Sequence, residues 1–261
     1  MVMDSLLKCD INLLPSLIRN RKVELEISCN DGNNELCNGK CGFISEDVFI
    51  KISDADQYGY YMLGIDYLDY VNYLRANLKE IDEVQIMVYT ADYVREYFKF
   101  DIYGNVPDNR SMILEEKCTG DKKVGIDIFK GIGQGVCLEH SLLFQNLLAF
   151  MGLDVMMLCM VGVRNKKMIG HTANIINLIV DGNIKHIYYD LTSLEIYKDN
   201  ERYVAAPVIK NITDEELDKF MNSDEELVIK VRDVREESGY RETYFSPKEL
   251  ISVFKLSKYM E

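Results

Sequence analysis

Gly131-Ile132-Gly133-Gln134-Gly135-Val136-Cys137-Leu138-Glu139-His140 opens the stretch on which the reading of this chain turns. The stretch continues through Gly170-His171-Thr172-Ala173-Asn174 and closes at Tyr188-Tyr189-Asp190-Leu191-Thr192-Ser193. Its three glycines permit a tight turn with close backbone approach. Apolar residues at 138, 142, 143, 147, 148 and 150 follow at helical spacing with a broad buried face, and Gly152 stands where a glycine would end that helix. Cys137 is therefore predicted at the N-terminus of a buried helix, where unpaired N–H groups and the helix dipole favour a thiolate. The alternative for Cys137 is a small buried core residue. The G-x-G-x-G spacing also suggests a phosphate cradle. No lysine followed by serine or threonine comes after it, the third glycine is misplaced for a dinucleotide loop, and no clear strand run precedes it. Phosphate binding is rejected.

Beyond the helix, Val155 to Val161 is a continuous apolar run, fitting a strand covered on both faces. Arg164 to Lys167 reads as the turn after it. His171 then opens an alternating segment, Asp181-Gly182-Asn183 signals a hairpin, and Ile184 to Tyr189 returns as a strand ending at Asp190. Pairing about Gly182 sets position 171 against roughly 193, and 174 against 190. His171 and Asp190 are thus expected on adjacent strands near one end of a ribbon. A carboxylate on an imidazole orients the ring and stabilises its charged form, as a cysteine–histidine pair requires. His140, one helical turn after Cys137, is a rival base whose only carboxylate neighbour, Glu139, points elsewhere. His186 falls mid-strand and reads as a packing or surface residue.

On the N-terminal side, Tyr61 to about Phe100 is predicted helical. One stripe holds Leu63, Tyr67, Tyr70, Val71 and Leu74, and a second holds Val84, Met87, Val88, Ala91, Val94, Arg95 and Phe98. The tyrosines at this spacing are read as core rather than a stacking platform. Asp101 to Asn109 is a loop, and Ser111 to Lys117 a short helical turn. Residues 1–60 form a separate extension of strands and turns, with strands at Val23–Ile27 and Val48–Ile52 around the turn Asn30–Asn34. Cys29, Cys37 and Cys41 cluster there, but lack the four ligands in two close pairs that structural zinc wants, so no metal is expected. After Ser193, Thr213-Asp214-Glu215-Glu216 is a capping box opening a helix to about Met221. Leu227–Val231 and Tyr240–Phe245 are strands, and Ser246-Pro247-Lys248-Glu249 opens a last helix to about Tyr259. These elements are expected to complete the core sheet.

The 261 residues are long enough for a substantial core. Thirty basic against 43 acidic residues give a net charge of −13, which argues against nucleic acid or an anionic membrane as partner. No signal peptide and no window approaching 18 apolar residues is found, so no membrane span is expected. Seven cysteines without regular spacing point to reduced thiols in a cytoplasm.

With its elements placed, the chain resembles the transglutaminase-like branch of the papain-like cysteine enzymes. That resemblance rests on Gly135-Val136-Cys137, Gly170-His171-Thr172-Ala173 and Tyr189-Asp190-Leu191-Thr192, in that order, and covers roughly 82–193. It implies an α+β fold with a cysteine-bearing helix packed on a mainly antiparallel sheet carrying histidine and aspartate. It implies Cys137 as nucleophile, His171 as general base and acid, and Asp190 as orienter. Family members often have an aromatic residue soon after the histidine and a proline after the aspartate, where this chain has Ala173-Asn174 and Leu191. No tryptophan is present to supply a ring N–H, so the oxyanion donor must come from elsewhere. The Cys137 backbone N–H and the Gln134 side-chain amide are the candidates, the latter by analogy with the glutamine ahead of the cysteine in papain-like proteases. Residues 61–261 would form the catalytic domain. The implied chemistry is acyl transfer from peptide or glutamine amides, without cofactor, as hydrolysis, deamidation or cross-linking. Arylamine N-acetyltransferases share the residue order, but no basic stretch suits the phosphates of coenzyme A. A non-catalytic peptide-binding domain is the remaining alternative.

Overall fold

The computed structural model describes residues 6–20, 43, 50–51, 60–100, 109–118, 123–164, 167–200, 202–222 and 227–247. The architecture is α+β, and the described residues divide into two compact units, one up to Val155 and one from Met156. The expected strand at Val23–Ile27, the turn at Asn30–Asn34, the Cys29, Cys37 and Cys41 cluster, and most of the 101–109 loop lie outside the described residues.

The first unit is mainly helical: α1 (Tyr67–Asn77), α2 (Glu83–Phe98), α3 (Arg110–Lys117) and α4 (Cys137–Met151). A small sheet joins β1 (Ile50–Lys51), β2 (Tyr60–Met62) and β3 (Lys123–Gly125), with β2 between the other two. Tyr61 is therefore a strand residue. Helix α1 starts only at Tyr67, because the Asp66 carboxylate accepts from the N–H groups of Leu68 and Asp69 and so caps it there. Helix α2 buries Ile86, Met87, Thr90, Ala91, Tyr93, Val94 and Phe98. Val84 and Val88, expected on that stripe, are exposed instead. The stripe is set by Ile86, Tyr93 and Thr90, whose hydroxyl bonds the Tyr70 hydroxyl at 2.7 Å. The tyrosines are core: Tyr67 stacks on Phe150 at 4.3 Å and Tyr70 is wholly buried.

Helix α4 is the axis of this unit. Every residue from Glu139 to Met151 is buried, and α2 packs against it. A helix buried all round needs its polar side chains satisfied, and Asn146 does so by donating to the Tyr67 hydroxyl at 2.7 Å. Gly152 ends the helix with φ 95°, the left-handed conformation that glycine tolerates.

The second unit is a six-stranded sheet ordered β7-β6-β5-β4-β9-β8. Its strands are β4 (Asp154–Arg164), β5 (Lys167–Val180), β6 (Asn183–Asp199), β7 (Arg202–Ile212), β8 (Leu227–Arg232) and β9 (Tyr240–Pro247). The pairs β5–β6, β6–β7, β4–β9 and β8–β9 are antiparallel. On one face Met156, Leu158, Met160, Ala173, Ile175, Tyr188, Val208, Ile229, Val231 and Phe245 form a core with Leu217 and Phe220 of α5 (Asp214–Asn222). Helix α5 opens with the expected capping box: Glu216 N–H donates to the Thr213 hydroxyl at 3.2 Å, and Thr213 N–H donates to the Glu216 carboxylate at 2.8 Å. Ser246 and Pro247, expected to open a final helix, are strand residues paired with Val161 and Met160. The rest of the expected helix lies outside the described residues.

Candidate functional site

Cys137 is the first residue of α4, half-buried, behind a glycine turn built as the glycines require. Gly131 and Gly133 have φ of 75° and 69°. Gly131 N–H donates to the Tyr97 carbonyl at 2.7 Å, and Gly133 N–H to the Phe98 carbonyl at 2.9 Å, which ties the turn to the end of α2. Gly135 is required for a different reason: a Cβ there would meet the Phe98 ring at 3.1 Å and His140 at 3.3 Å. A three-residue strand, β3, does precede the glycines, contrary to expectation, but the turn still lacks the lysine of a phosphate loop.

Gln134 lies in the same turn. Its carboxamide oxygen accepts from the Asn109 N–H at 3.1 Å, which fixes the side chain and leaves its NH2 group as the donating end. Glu139, two residues after Cys137, is wholly buried. Its Oε2 accepts from the Val136 N–H at 2.6 Å, and its Oε1 from Arg110 Nη2 at 2.7 Å. The rival base His140 is also wholly buried, with Nδ1 2.8 Å from the Val136 carbonyl and its ring against Phe98 and Phe100. Its neighbour Glu139 points away from it, as expected, and bonds Arg110, which was not expected.

In the second unit the structure brings His171 and Asp190 together, with Nε2 to Oδ2 at 2.5 Å. The strands are longer than predicted. His171 is inside β5, which begins at Lys167, and Asp190 is mid-way along β6 rather than at its end. The hairpin loop is Asp181–Gly182, with φ of 52° and 76°, so Asn174 faces Tyr189 and the register is one residue from that expected. After Asp190 the β6–β7 register shifts: Asp190 faces Val208 but Leu194 faces Pro207. Residues 191–193 thus bulge from the ladder. The bulge turns the Thr192 and Ser193 N–H groups onto Asp190 Oδ1 at 3.0 and 2.8 Å. The Thr192 hydroxyl adds a bond to Oδ1 at 3.2 Å, and the Tyr188 hydroxyl donates to Oδ2 at 3.1 Å.

Asp190 is 1 % exposed. Burial alone would raise its pKa, but the His171 ring and the hydrogen bonds, Ser193 among them, outweigh that and hold the carboxyl well below the usual range. Asp190 is an anion that holds the Nε2 side of a half-buried imidazole. Phe245 of β9 stacks on the other aspect of that ring, with centroids 5.4 Å apart and planes at 18°. His186, expected as a packing or surface residue, bridges Asn177 at 2.6 Å and the exposed Asp214 at 2.9 Å.

Five contributors were not anticipated: Arg110, Glu139, Tyr188, Phe245 and the Thr192–Ser193 amides. A trace of the last exists in the sequence, because an aspartate readily accepts from the backbone two residues on, here Thr192. Glu139 sits at the third position of its helix, where an acidic side chain reaches back to the first N–H groups. Phe245 left no local signal. Among the described residues no cluster of three or more metal-ligating side chains occurs, and no helix is long and apolar enough to cross a membrane. Set against protein-family models, curated proteins and solved structures, the chain finds no match.

Proposed function

We propose that the protein is a thiol-dependent acyl-transfer enzyme of transglutaminase-like, papain-like type, acting in the cytoplasm on an amide of a peptide or protein. Cys137 is its nucleophile, His171 its general base and acid, and Asp190 the orienter of His171. The observation that carries the reading is the buried His171–Asp190 pair, whose carboxylate is kept ionised by donors from the β6 bulge. A three-residue bulge aimed at one carboxylate is a costly way to build an ordinary core ion pair. Because Asp190 takes Nε2, the nitrogen that exchanges a proton in this mechanism is Nδ1. The position of Cys137 at the head of a buried helix, behind a turn that only glycines fit, supports its part.

In the reaction, Cys137 gives its proton to His171 and its sulfur attacks the amide carbonyl. A carbon–sulfur bond forms and the carbonyl becomes an oxyanion, which the Cys137 N–H and the Gln134 NH2 would receive. Collapse breaks the carbon–nitrogen bond, and the leaving amine takes the proton held by His171. Water, deprotonated by His171, then attacks the thioester, releasing the acid and restoring the thiol.

The test is iodoacetamide labelling across pH, with each cysteine followed by mass spectrometry. Cys137 should label well below pH 8, and His171→Ala should abolish that early labelling. Cys118, whose thiol burial pushes up, should label later and serve as the internal contrast. Uniform slow labelling of all seven thiols would overturn the reading. Acetyl transfer from acetyl-coenzyme A to an aromatic amine, lost in Cys137→Ala, would reassign the enzyme to the arylamine N-acetyltransferases.

A further inference from the structure

We infer that Arg110 is a positioning residue for Cys137: it neutralises the buried Glu139 carboxylate, so that the head of α4 presents Cys137 with donors rather than with a negative charge. The inference rests on the acyl-transfer reading for its purpose, though not for its test.

The difficulty it resolves is electrostatic. Glu139 is fully buried two residues after Cys137, and its Oε2 takes the Val136 N–H, the donor directly before the cysteine. A buried anion there opposes a thiolate, because like charges in a low-dielectric setting disfavour each other's charged forms. It also consumes one of the unpaired N–H groups that make a helix start attractive to an anion. Unbalanced, Glu139 would cancel the advantage of placing a thiol at this position.

Arg110 supplies the balance. Its Nη2 and Nε reach Glu139 Oε1 at 2.7 and 3.3 Å, and its side chain is 11 % exposed. The guanidinium also lies over the Phe129 ring, 5.9 Å from its centroid, which shields it further from water. It is brought there by α3, whose first turn is fastened to the glycine turn a second time by the Asn109 N–H bond to Gln134. The other charged groups around the turn are oriented differently. Lys130 sits over Tyr97, and the Lys99 stem runs beside Gly131. His140 bonds the Val136 carbonyl through Nδ1. A merely structural ion pair would hold α3 in place and do nothing to the thiol. A neutralising pair has a sign.

The test is the pH midpoint of Cys137 alkylation in the full chain, with far-UV circular dichroism and urea unfolding to confirm each variant is folded. Arg110→Met should raise the midpoint by about one pH unit, because the positive charge on Glu139 Oε1 is then lost. Arg110→Met with Glu139→Gln should return it close to the parent value, since the carboxamide oxygen still accepts from Val136 without the charge. Glu139→Gln alone should lower it, because the Arg110 charge is left unbalanced, and Arg110→Lys should stay near the parent. An unmoved midpoint in Arg110→Met, a double variant that stays high, or a raised midpoint in Glu139→Gln each overturns the inference. The last arm decides the matter if Arg110→Met does not fold. The parent's own midpoint and its response to His171→Ala test the acyl-transfer reading, whereas differences among the Arg110 and Glu139 variants test this one.

Discussion

Asp190 accepts on both oxygens: from His171 and Tyr188 on Oδ2, and from Thr192 N–H, Thr192 hydroxyl and Ser193 N–H on Oδ1. Each has a distinct consequence. Tyr188→Phe removes one donor and keeps the ring in the core, so it should cost about 1 kcal/mol in urea unfolding. It should also reduce early Cys137 labelling only modestly, because His171 keeps its partner. Asp190→Asn keeps the shape but cannot stabilise an imidazolium. It should suppress Cys137 labelling below pH 8 nearly as fully as His171→Ala, by tenfold or more. A labelling profile in Asp190→Asn that matches the parent would remove Asp190 from the mechanism.

At the scale of elements, the legible parts were those with short-range causes. The Cys137 helix, its glycine end, the Thr213 capping box and the β5–β6 hairpin each follow from a local pattern of apolar spacing or turn residues. What was illegible was set at a distance. Ser246 and Pro247 have the local chemistry of a helix start, yet pairing with β4 takes them into the sheet. Val84 and Val88 have apolar side chains at helical spacing, but the buried stripe of α2 is turned toward Tyr70 and α4, and they face water. The hairpin register was missed by one residue because a two-residue loop with both φ values positive replaced a three-residue one. For the site, His171 and Asp190 were predicted within reach, whereas Arg110 and Phe245 arrive from α3 and β9, with no trace in the residues around Cys137 or His171. Two substitutions probe the elements. Gly135→Ala drives a methyl to 3.1 Å from Phe98, and should destabilise by about 1–3 kcal/mol. Leu147→Ala in the buried centre of α4 should cost about 2–5 kcal/mol. Urea midpoints near the parent value in either would show that α4 is not packed as described.

For the molecule as a whole, the acid side of the stability curve is the informative one. Asp190, Glu195 and Asp233 all have carboxyl pKa values held below their ordinary range. For Asp190 and Glu195, burial opposes this and is outweighed, by His171 and by Lys210 with Tyr197. For Asp233, the bonds from Arg235 lead. A depressed folded pKa means that stabilisation is complete above the unfolded value of about 4. It is lost as pH falls from there through the folded value, because the unfolded chain binds the proton first. Thermal unfolding should therefore show a plateau above about pH 5 and a steep fall below about pH 4. Asp190→Asn should flatten part of that fall. A melting temperature equally insensitive in parent and variant between pH 5 and pH 2 would contradict this account.

The three-residue bulge at 191–193 carries one more consequence. Two of the bonds on Asp190 Oδ1 come from the main chain, and main-chain groups are blind to side-chain identity. Ser193→Ala and Thr192→Val each remove a hydroxyl contact but leave both amides on Asp190, so each should weaken the pair without breaking it, while deletion of one residue between Asp190 and Leu194 should abolish the pair by pulling both amides out of line. The specification here is metrical. It resides in how many peptide units separate Asp190 from the point where β6 rejoins β7, so drift in composition would leave it intact and a single codon lost would erase it.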